Sequence, residues 1–577
     1  MFLPTTPEEI KKLKWIRPDI ILVTGDTYID SPYIGAAAIG KYLQSHGFQV
    51  AIIAQPDINS KEITRLGEPA LFWGITGGSV DSMIANYTAS GKKRKQDDFT
   101  PGEVNNKRPD RAVIAYSNLI RKYFKNTAPL VLGGIEASLR RISHYDFWSN
   151  SIRRPLLFDA KADYLVYGMA EKTILELAHA LKNNADTKNI RGLCYILKQR
   201  EYENADLPKS HHILPSFEEC SENSEKSKSR FMEMFRVFYD NNDPVTARGL
   251  CQKVGDRYLI QNPPQALANQ QELDSYYNLD FHRDVHPWYA AQGKVRALET
   301  IQFSLTTHRG CYGECHFCAI TVHQGRTILS RSQKSILNEA NSMREHRNFK
   351  GVISDVGGPT ANMYGYECSK KLKSGNCPNK RCIFPNTCKT LKPDHQNQIS
   401  LLRKLDKLPG IKHAFVASGI RYDLILDDDK HGREYFNQVI KHHTSGQLKI
   451  APEHVDNRVL NLMGKPDNSR LVVFKKLFEE LSEKADKKQF LTYYFIAAHP
   501  GCSEKEMKLL KNYATNNLSM NPEQAQIYTP TPSTWSSVMY YTELNPFLKN
   551  GQTHENIFVE KIPQKKINQK NILVHKR

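Results

Sequence analysis

Apolar runs bounded by turn residues alternate with amphipathic stretches along the first third of the chain. Residues 18–24 (PDIILVT) read as a buried strand, a polar turn follows at 25–32, and the small-residue run 35–46 reads as a helix that Gly47 ends before a second strand at 48–54. Further apolar segments at 70–75, 112–114, 129–132 and 164–167 alternate with helical stretches. That alternation predicts a parallel sheet with crossover helices, a doubly wound α/β domain over residues 1–185. The polar segment 91–110 (GKKRKQDDFTPGEVNNKRPD) reads as a solvated loop inside it. Between 186 and 294 the pattern is mixed, and a connecting subdomain is expected there.

Strand candidates then recur, separated by helical segments, at 301–305, 351–355, 413–418, 447–451, 489–497 and 524–528. Six β/α units predict a partial, TIM-like (β/α)6 barrel over 295–545, interrupted by a Cys-rich insertion at 366–392. Residues 546–577 read as a basic tail. Its last part, 561–577, has no acidic residue and is expected to be solvated or to contact a polyanion.

Composition narrows the class. A chain of 577 residues with 40% hydrophobic content buries a full core, which excludes a disordered tail. No apolar run approaches the roughly 18 residues of a membrane span, and the first ten residues lack the basic start and apolar core of a signal peptide. The expectation is a cytoplasmic protein with no membrane contact. Lys and Arg number 80 against 61 Asp and Glu, a formal charge of +19 that favours anionic partners, RNA among them. Eleven cysteines are too few for a disulfide scaffold of this length, and seven of them fall between Cys311 and Cys388, a clustering that points to metal.

The sharpest signal is 308–320, HRGCYGECHFCAI, where Cys311, Cys315 and Cys318 follow a predicted strand with C-x3-C-x2-C spacing. Thiolates are soft ligands for iron–sulfur clusters and zinc. In a four-iron cubane, three thiolates leave one iron open. A closed zinc site takes four protein ligands, and His316 or His323 offers the fourth, so both occupants fit the spacing.

With Phe317 before the last cysteine, the triplet resembles the signature of the radical S-adenosylmethionine superfamily. That resemblance implies a [4Fe-4S] cluster whose open iron chelates S-adenosylmethionine, an electron donor of flavodoxin or ferredoxin type, and reductive cleavage that begins radical chemistry. By position it also implies cofactor contacts at Gly357, Gly358 and Pro359 in the turn DVGGPT, where Pro359 replaces an acid, at Ser418 and Arg421 in SGIR, and at Glu453 or His454 after the fourth strand. Residues 494–501 resemble the segment that meets adenine. The blocks PDIILVTGDTYIDSPYIGAAAIG, VLGGIEASLRRISHYDFW, DVGGPTANMY, LKIAPEHVDNRVLNLMGKP and YTPTPSTWSSVMYYT together resemble the YgiQ family, over about residues 15–560.

The N-terminal domain resembles the cobalamin-binding α/β fold. Such domains commonly offer the cobalt an imidazole from Asp-x-His-x-x-Gly, but here the segment 30–35 is DSPYIG, with Pro32 at the His position, so cobalamin is not expected. Gly133, Gly134, Gly168 and Glu171 line a pocket at strand ends or simply make turns. A second set, Cys368, Cys377, Cys382 and Cys388, is a candidate metal site with spacings that contain no close pair, or else a group of reduced thiols. Three functional readings follow: a radical enzyme, a narrower version acting on RNA or ribosomal protein, and a non-catalytic iron–sulfur or zinc binding module.

Overall fold

The computed structural model describes residues 1–205, 211–522, 524–547 and 555–574. The chain forms two compact units, residues 1–267 with 275–302, and residues 268–274 with 303 onward.

The first unit is built on one nine-stranded sheet. Its parallel part comprises β1 (Ile20–Thr24), β2 (Val50–Ala54), β3 (Phe72–Thr76), β4 (Leu130–Gly133) and β5 (Tyr164–Val166), in the order β2-β1-β3-β4-β5. β1 and β2 are buried along their whole length, which is why they read as unbroken apolar runs rather than alternating ones. Register is fixed by pairing Ile20 with Val50 on one side and with Phe72 on the other. The helix Gly35–Ser45 covers this sheet at close range: a Cβ on Gly40 would lie 2.4 Å from Leu3 Cδ1 and 3.2 Å from Leu22 Cδ1, so the contact requires glycine.

Two expectations change here. Residues 112–114 open a helix, Ala112–Tyr123, because the apolar positions continue as Val113, Tyr116 and Ile120, a helical spacing buried on one face. Four strands from the segment expected to connect the domains, β6 (Leu193–Lys198), β7 (His212–Leu214), β8 (Leu250–Val254) and β9 (Arg257–Gln261), hydrogen-bond into the same sheet beyond β5, in the order β6-β9-β8-β7. The pairing β5–β6 is antiparallel, as are β6–β9 and β9–β8. Helices still separate these strands, Glu171–Lys182 between β5 and β6 and Glu225–Asp240 between the parallel pair β7 and β8, while β8 and β9 form a hairpin; the alternation continues, and what it does not declare is which strand each one joins and in which direction.

The second unit contains six successive parallel strand positions: β10 (Ser304–Thr306), β11 (Val352–Ile353, continuing at Asp355–Gly357), β12 (His413–Ala414), β13 (Gln447–Glu453), β14 (Phe490–Ala497) and β15 (Gln526–Ile527). β10 pairs with Asp355–Gly357, β11 with β12, β13 with β14, and β14 with β15, all parallel. An isolated parallel bridge from Ile420 to Ile450 joins the third position to the fourth. No pairing between β10 and β15 occurs among the described residues, so the barrel is partial. Its core runs through Leu305, Ile353, Val356, Leu448, Ile450 and Phe495. The expected strand at 301–305 begins later, because Leu298–Ile301 closes a helical turn.

The basic C-terminal segment is not a solvated tail over its described part. Pro563–Val574 is a helix in which Lys566, Gln569 and Leu573 are buried, with Leu573 in the barrel core. Gln569 accepts the Ala498 N–H at 3.0 Å, and Lys566 Nζ donates to the Tyr540 hydroxyl at 2.8 Å. No helix among the described residues is long and apolar enough to cross a membrane.

Burial holds His144 down at about 3, His454 at about 4 and His499 at about 3, against an ordinary 6.5. These rings stay neutral in the folded chain while the unfolded chain protonates near 6.5. Below that pH the unfolded state binds more protons, and stability falls as pH falls. Each ring contributes a slope of about 1.4 kcal/mol per pH unit between the two values. Urea unfolding should therefore show stability dropping steadily from pH 6.5 to 4; a level profile over that range contradicts the assignment.

Candidate metal and cofactor site

The triplet loop starts where β10 ends. Thr307 N–H donates to Gly357 O at 2.7 Å, and the pair His308–Arg309 then runs antiparallel to Leu329–Ser330. Gly310 turns the chain at φ +87°, and a Cβ there would lie 2.2 Å from the Thr327 carbonyl oxygen, so both conformation and space demand glycine. Cys311 N–H donates to Gly325 O at 3.3 Å, and Cys318 N–H to Cys315 O at 3.0 Å.

Around Gly313 the sulfurs converge. A Cβ on that residue would lie 3.2 Å from Cys311 Sγ, 3.5 Å from Cys315 Sγ and 3.8 Å from Arg421 Nη1. Gly313 N–H donates to Cys311 Sγ at 3.3 Å. Burial, then the neighbouring Cys315, push the Cys311 thiol up, and the same two causes push Cys318 up to about 12. A metal cation removes that penalty, because it binds the thiolate. His316, one of the two candidates for the fourth ligand of a closed zinc site, has Nδ1 on the Leu462 carbonyl at 2.8 Å and its ring stacked on Phe547 at 4.2 Å. His323 is half-buried on the helix Ile320–Gln324. Phe317 packs against the barrel core, edge-on to His499 at 6.2 Å.

The glycine turn lies beside the triplet. Thr360 Oγ1 is 3.6 Å from Cys311 Sγ. A Cβ on Gly358 would fall 2.6 Å from the His308 ring and 2.8 Å from its carbonyl oxygen, while Gly357 carries its own carbonyl to Thr307. His308 is fully buried, with Nδ1 on the Thr307 hydroxyl at 2.9 Å. Since the ring has nowhere to retreat, Gly358→Ala is expected to cost about 1–3 kcal/mol, read as a lower urea midpoint at unchanged slope.

Sequence reasoning missed two residues that hold this region together. Asp355 accepts the N–H groups of Ala417 at 2.8 Å and Ser418 at 3.0 Å, and also the Ser418 hydroxyl. Asn362, fully buried, accepts Arg421 N–H at 2.8 Å and donates to Arg421 O at 3.0 Å. Their only signal was a polar side chain inside or just after an apolar strand. Together they lock the second strand end to the third. The Arg421 guanidinium is paired with Asp423, its Nε at 2.9 Å from Oδ1, and lies beside the thiols.

At the fourth strand end, Glu453 is buried and stands in the left-handed region at φ +67°, where the β13–β14 register shifts. A non-glycine residue in that region is strained backbone of the kind found at ligand sites. Burial raises its carboxyl, which Lys465 opposes from 3.6 Å; Lys465 also donates to Ala451 O. His454 faces inward to Cys502 at 3.6 Å and accepts Asp456 N–H at 3.0 Å, which makes it a packing residue. Arg421, Asp423, Ala451, Lys465 and Arg470 line one side of a cavity of about 440 Å³ whose other side is the insertion segment 385–389 with Lys392 and Pro393.

In the first unit, the ligand crevice of a doubly wound sheet lies at the carboxyl ends of β1 and β3, where strand order reverses. Here it holds the chain's own residues. Arg108 reaches Asp26 at 2.6 Å, Asp97 at 3.1 Å and Gly25 O at 3.0 Å, with all three charged side chains buried. A Cβ on Gly25 would lie 2.2 Å from Gly77 O. Asp97, Thr100, Asn105 and Arg108 all come from the segment that reads as a solvated loop, and each is buried. Gly134 and Gly168 make positive-φ turns, Gly133 ends β4, and Glu171 opens a helix.

The family model described as Radical SAM N-terminal matches residues 2–304. A UPF0313 protein of Fusobacterium nucleatum is 57% identical over 578 residues, covering 100% of this chain and 99% of its own length. One from Thermotoga neapolitana is 48% identical over 97% of this chain and 96% of its own. Among solved structures, the cobalamin-dependent S-adenosylmethionine radical enzyme OxsB, with aqua-cobalamin and S-adenosylmethionine bound, aligns at TM-score 0.50 and 12% identity over 88% of this chain and 53% of its own, a likeness of fold. The architecture is thus that of the radical S-adenosylmethionine superfamily, an α/β domain followed by a partial barrel. The chain belongs to its UPF0313 family, the YgiQ family that the sequence blocks resemble.

Proposed function

We propose that this protein cleaves S-adenosylmethionine reductively at a [4Fe-4S] cluster held by Cys311, Cys315 and Cys318. The observation that carries the reading is the convergence of Cys311, Cys315 and Arg421 on Gly313, with the half-buried Cys318 in the same loop, at the carboxyl ends of barrel strands. Such a cluster, held by Cys311, Cys315 and Cys318, would supply the single electron that reductive cleavage of S-adenosylmethionine to methionine and a 5′-deoxyadenosyl group requires.

The chain's own groups do the positioning. Arg421, fixed by Asp423 and Asn362, presents a cation that suits the methionine carboxylate. With Pro359 lacking the family's acid, the turn at Gly357–Pro359 meets the amino group through backbone carbonyls alone. The Ser418 hydroxyl donates its hydrogen bond to Asp355, so it meets a ligand only as an acceptor. Glu453, held by Lys465, is placed to accept ribose hydroxyls. The 440 Å³ cavity beyond Arg421 is the place for the substrate, and its mixed charges favour a small polar molecule with an anionic group. We further infer that the chemistry proceeds without cobalamin, since Arg108, Asp26 and Asp97 fill the crevice and Pro32 offers no imidazole.

The test is direct. Protein reconstituted with iron and sulfide under anaerobic conditions, given dithionite and S-adenosylmethionine, should release 5′-deoxyadenosine and methionine. Absence of both from protein shown to hold the cluster overturns the reading.

A further inference from the structure

The insertion 366–392 has one short helix, Ser369–Ser374, and then a run of turns with no regular structure. Ordering such a stretch costs about 1–2 kcal/mol per residue in backbone entropy. Little burial offsets that cost: Ile383 and Leu391 are the aliphatic side chains it places in the core. Long irregular segments inside compact domains are uncommon, and metal binding is one way to fix them.

Cys368 belongs to a small core with Tyr312, Ile328, Met363, Ile383 and Leu424, and Cys382 and Cys388 pack against it. Thr390 Oγ1 lies 3.1 Å from Cys388 Sγ and 3.8 Å from Cys368 Sγ. Cys388 N–H donates to Cys382 O at 2.8 Å. Lys371 Nζ stands 3.8 Å from Cys382 Sγ, 2.9 Å from Glu367 Oε1 and 4.6 Å above the Tyr312 ring, although Lys371 itself is only 3% exposed. That ammonium, paired with Glu367 and bonded to the Arg326 carbonyl, stands beside the Cys382 sulfur, and none of the eleven cysteines is in a disulfide. Cys377 is half-buried on the same loop.

We propose that Cys368, Cys382 and Cys388, with Cys377 as fourth ligand, hold a second thiolate-bound metal centre, an iron–sulfur cluster or a zinc ion. Tyr312 follows Cys311 directly in sequence, so the two cysteine sites share one apolar partition. Cys388 also lines the cavity beside Arg421, which makes this centre the support for the cavity's outer wall.

Metal binding at this second site does not depend on cleavage of S-adenosylmethionine, and its test leaves that chemistry aside. Full-length protein carrying Cys311→Ala, Cys315→Ala and Cys318→Ala together, purified without oxygen, is assayed for iron, acid-labile sulfide and zinc. It should retain either iron with matching sulfide, about four of each for a cubane, or about one zinc per chain. Adding Cys382→Ser and Cys388→Ser should remove it. Iron with a reduced-cluster resonance identifies the cluster, and zinc without iron identifies the ion. A triple variant that elutes and absorbs circularly polarised light like the parent, yet carries neither metal above a buffer blank, overturns the proposal. If that variant does not fold, the parent decides: reconstituted protein holding about four irons in all, with no zinc and with Cys382 and Cys388 both alkylated without a chelator, overturns it equally.

Discussion

Replacing Cys315 by alanine is expected to lower 5′-deoxyadenosine release to that of an enzyme-free control. The expectation rests on the stoichiometry of the proposed site: three thiolates would anchor the cubane, and losing one would open a second iron and disrupt the chelate proposed to orient S-adenosylmethionine. Cys315 Sγ and Cys311 Sγ both lie within 3.5 Å of the Cβ position of Gly313, beside Arg421, so the substitution removes one of the two sulfurs that meet there. Cys194→Ala is the matched control, since that thiol is buried in the sheet of the first unit, and release should persist. Quantifying 5′-deoxyadenosine by liquid chromatography decides; undiminished release in Cys315→Ala would remove the triplet from the chemistry.

The second large effect concerns stability. Arg108→Met leaves Asp26 and Asp97 buried without their shared cation, and breaking a buried charge cluster in this way typically costs about 3–5 kcal/mol. The sign with pH is specific. Burial already raises the Asp26 carboxyl despite Arg108, and without the guanidinium it rises further. A protonated carboxyl carries no buried charge, so the penalty of Arg108→Met should shrink as pH is lowered toward that value. The double variant Arg108→Met, Asp26→Asn should recover part of the loss. Urea unfolding of the parent, the single variants and the double variant measures the coupling; additive effects would show that the cluster does not act as a unit.

Both predictions turn on how much of the molecule its residues already declare in order. The runs IILVT, VAIIA and FWGIT announce buried parallel strands because both faces are apolar, and the six barrel strands were visible from the same periodicity. The triplet was legible because cluster ligation needs three sulfurs close in sequence. The short run 112–114 was misleading, since three apolar residues do not distinguish a strand from the first turn of a helix. The mixed extension of the first sheet escaped notice because short strands set among polar segments do not declare which neighbour they pair with or in which direction.

The sequence by itself determined the parallel sheet, the partial barrel and the thiol triplet, because each depends on local order: periodicity sets burial, and spacing sets ligand reach; the family entered through the likeness of whole blocks to known relatives. Tertiary structure alone decided which charges are buried and with whom. Arg108 and Asp97 look like solvated loop residues until the fold carries Asp26, 82 positions away from Arg108, against them. Asp355 and Asn362 likewise acquire their roles only when the ends of separate strands meet. A buried ion pair or a cofactor cradle is a relation between distant segments, and hydrophobic periodicity is blind to which distant segments the chain brings together.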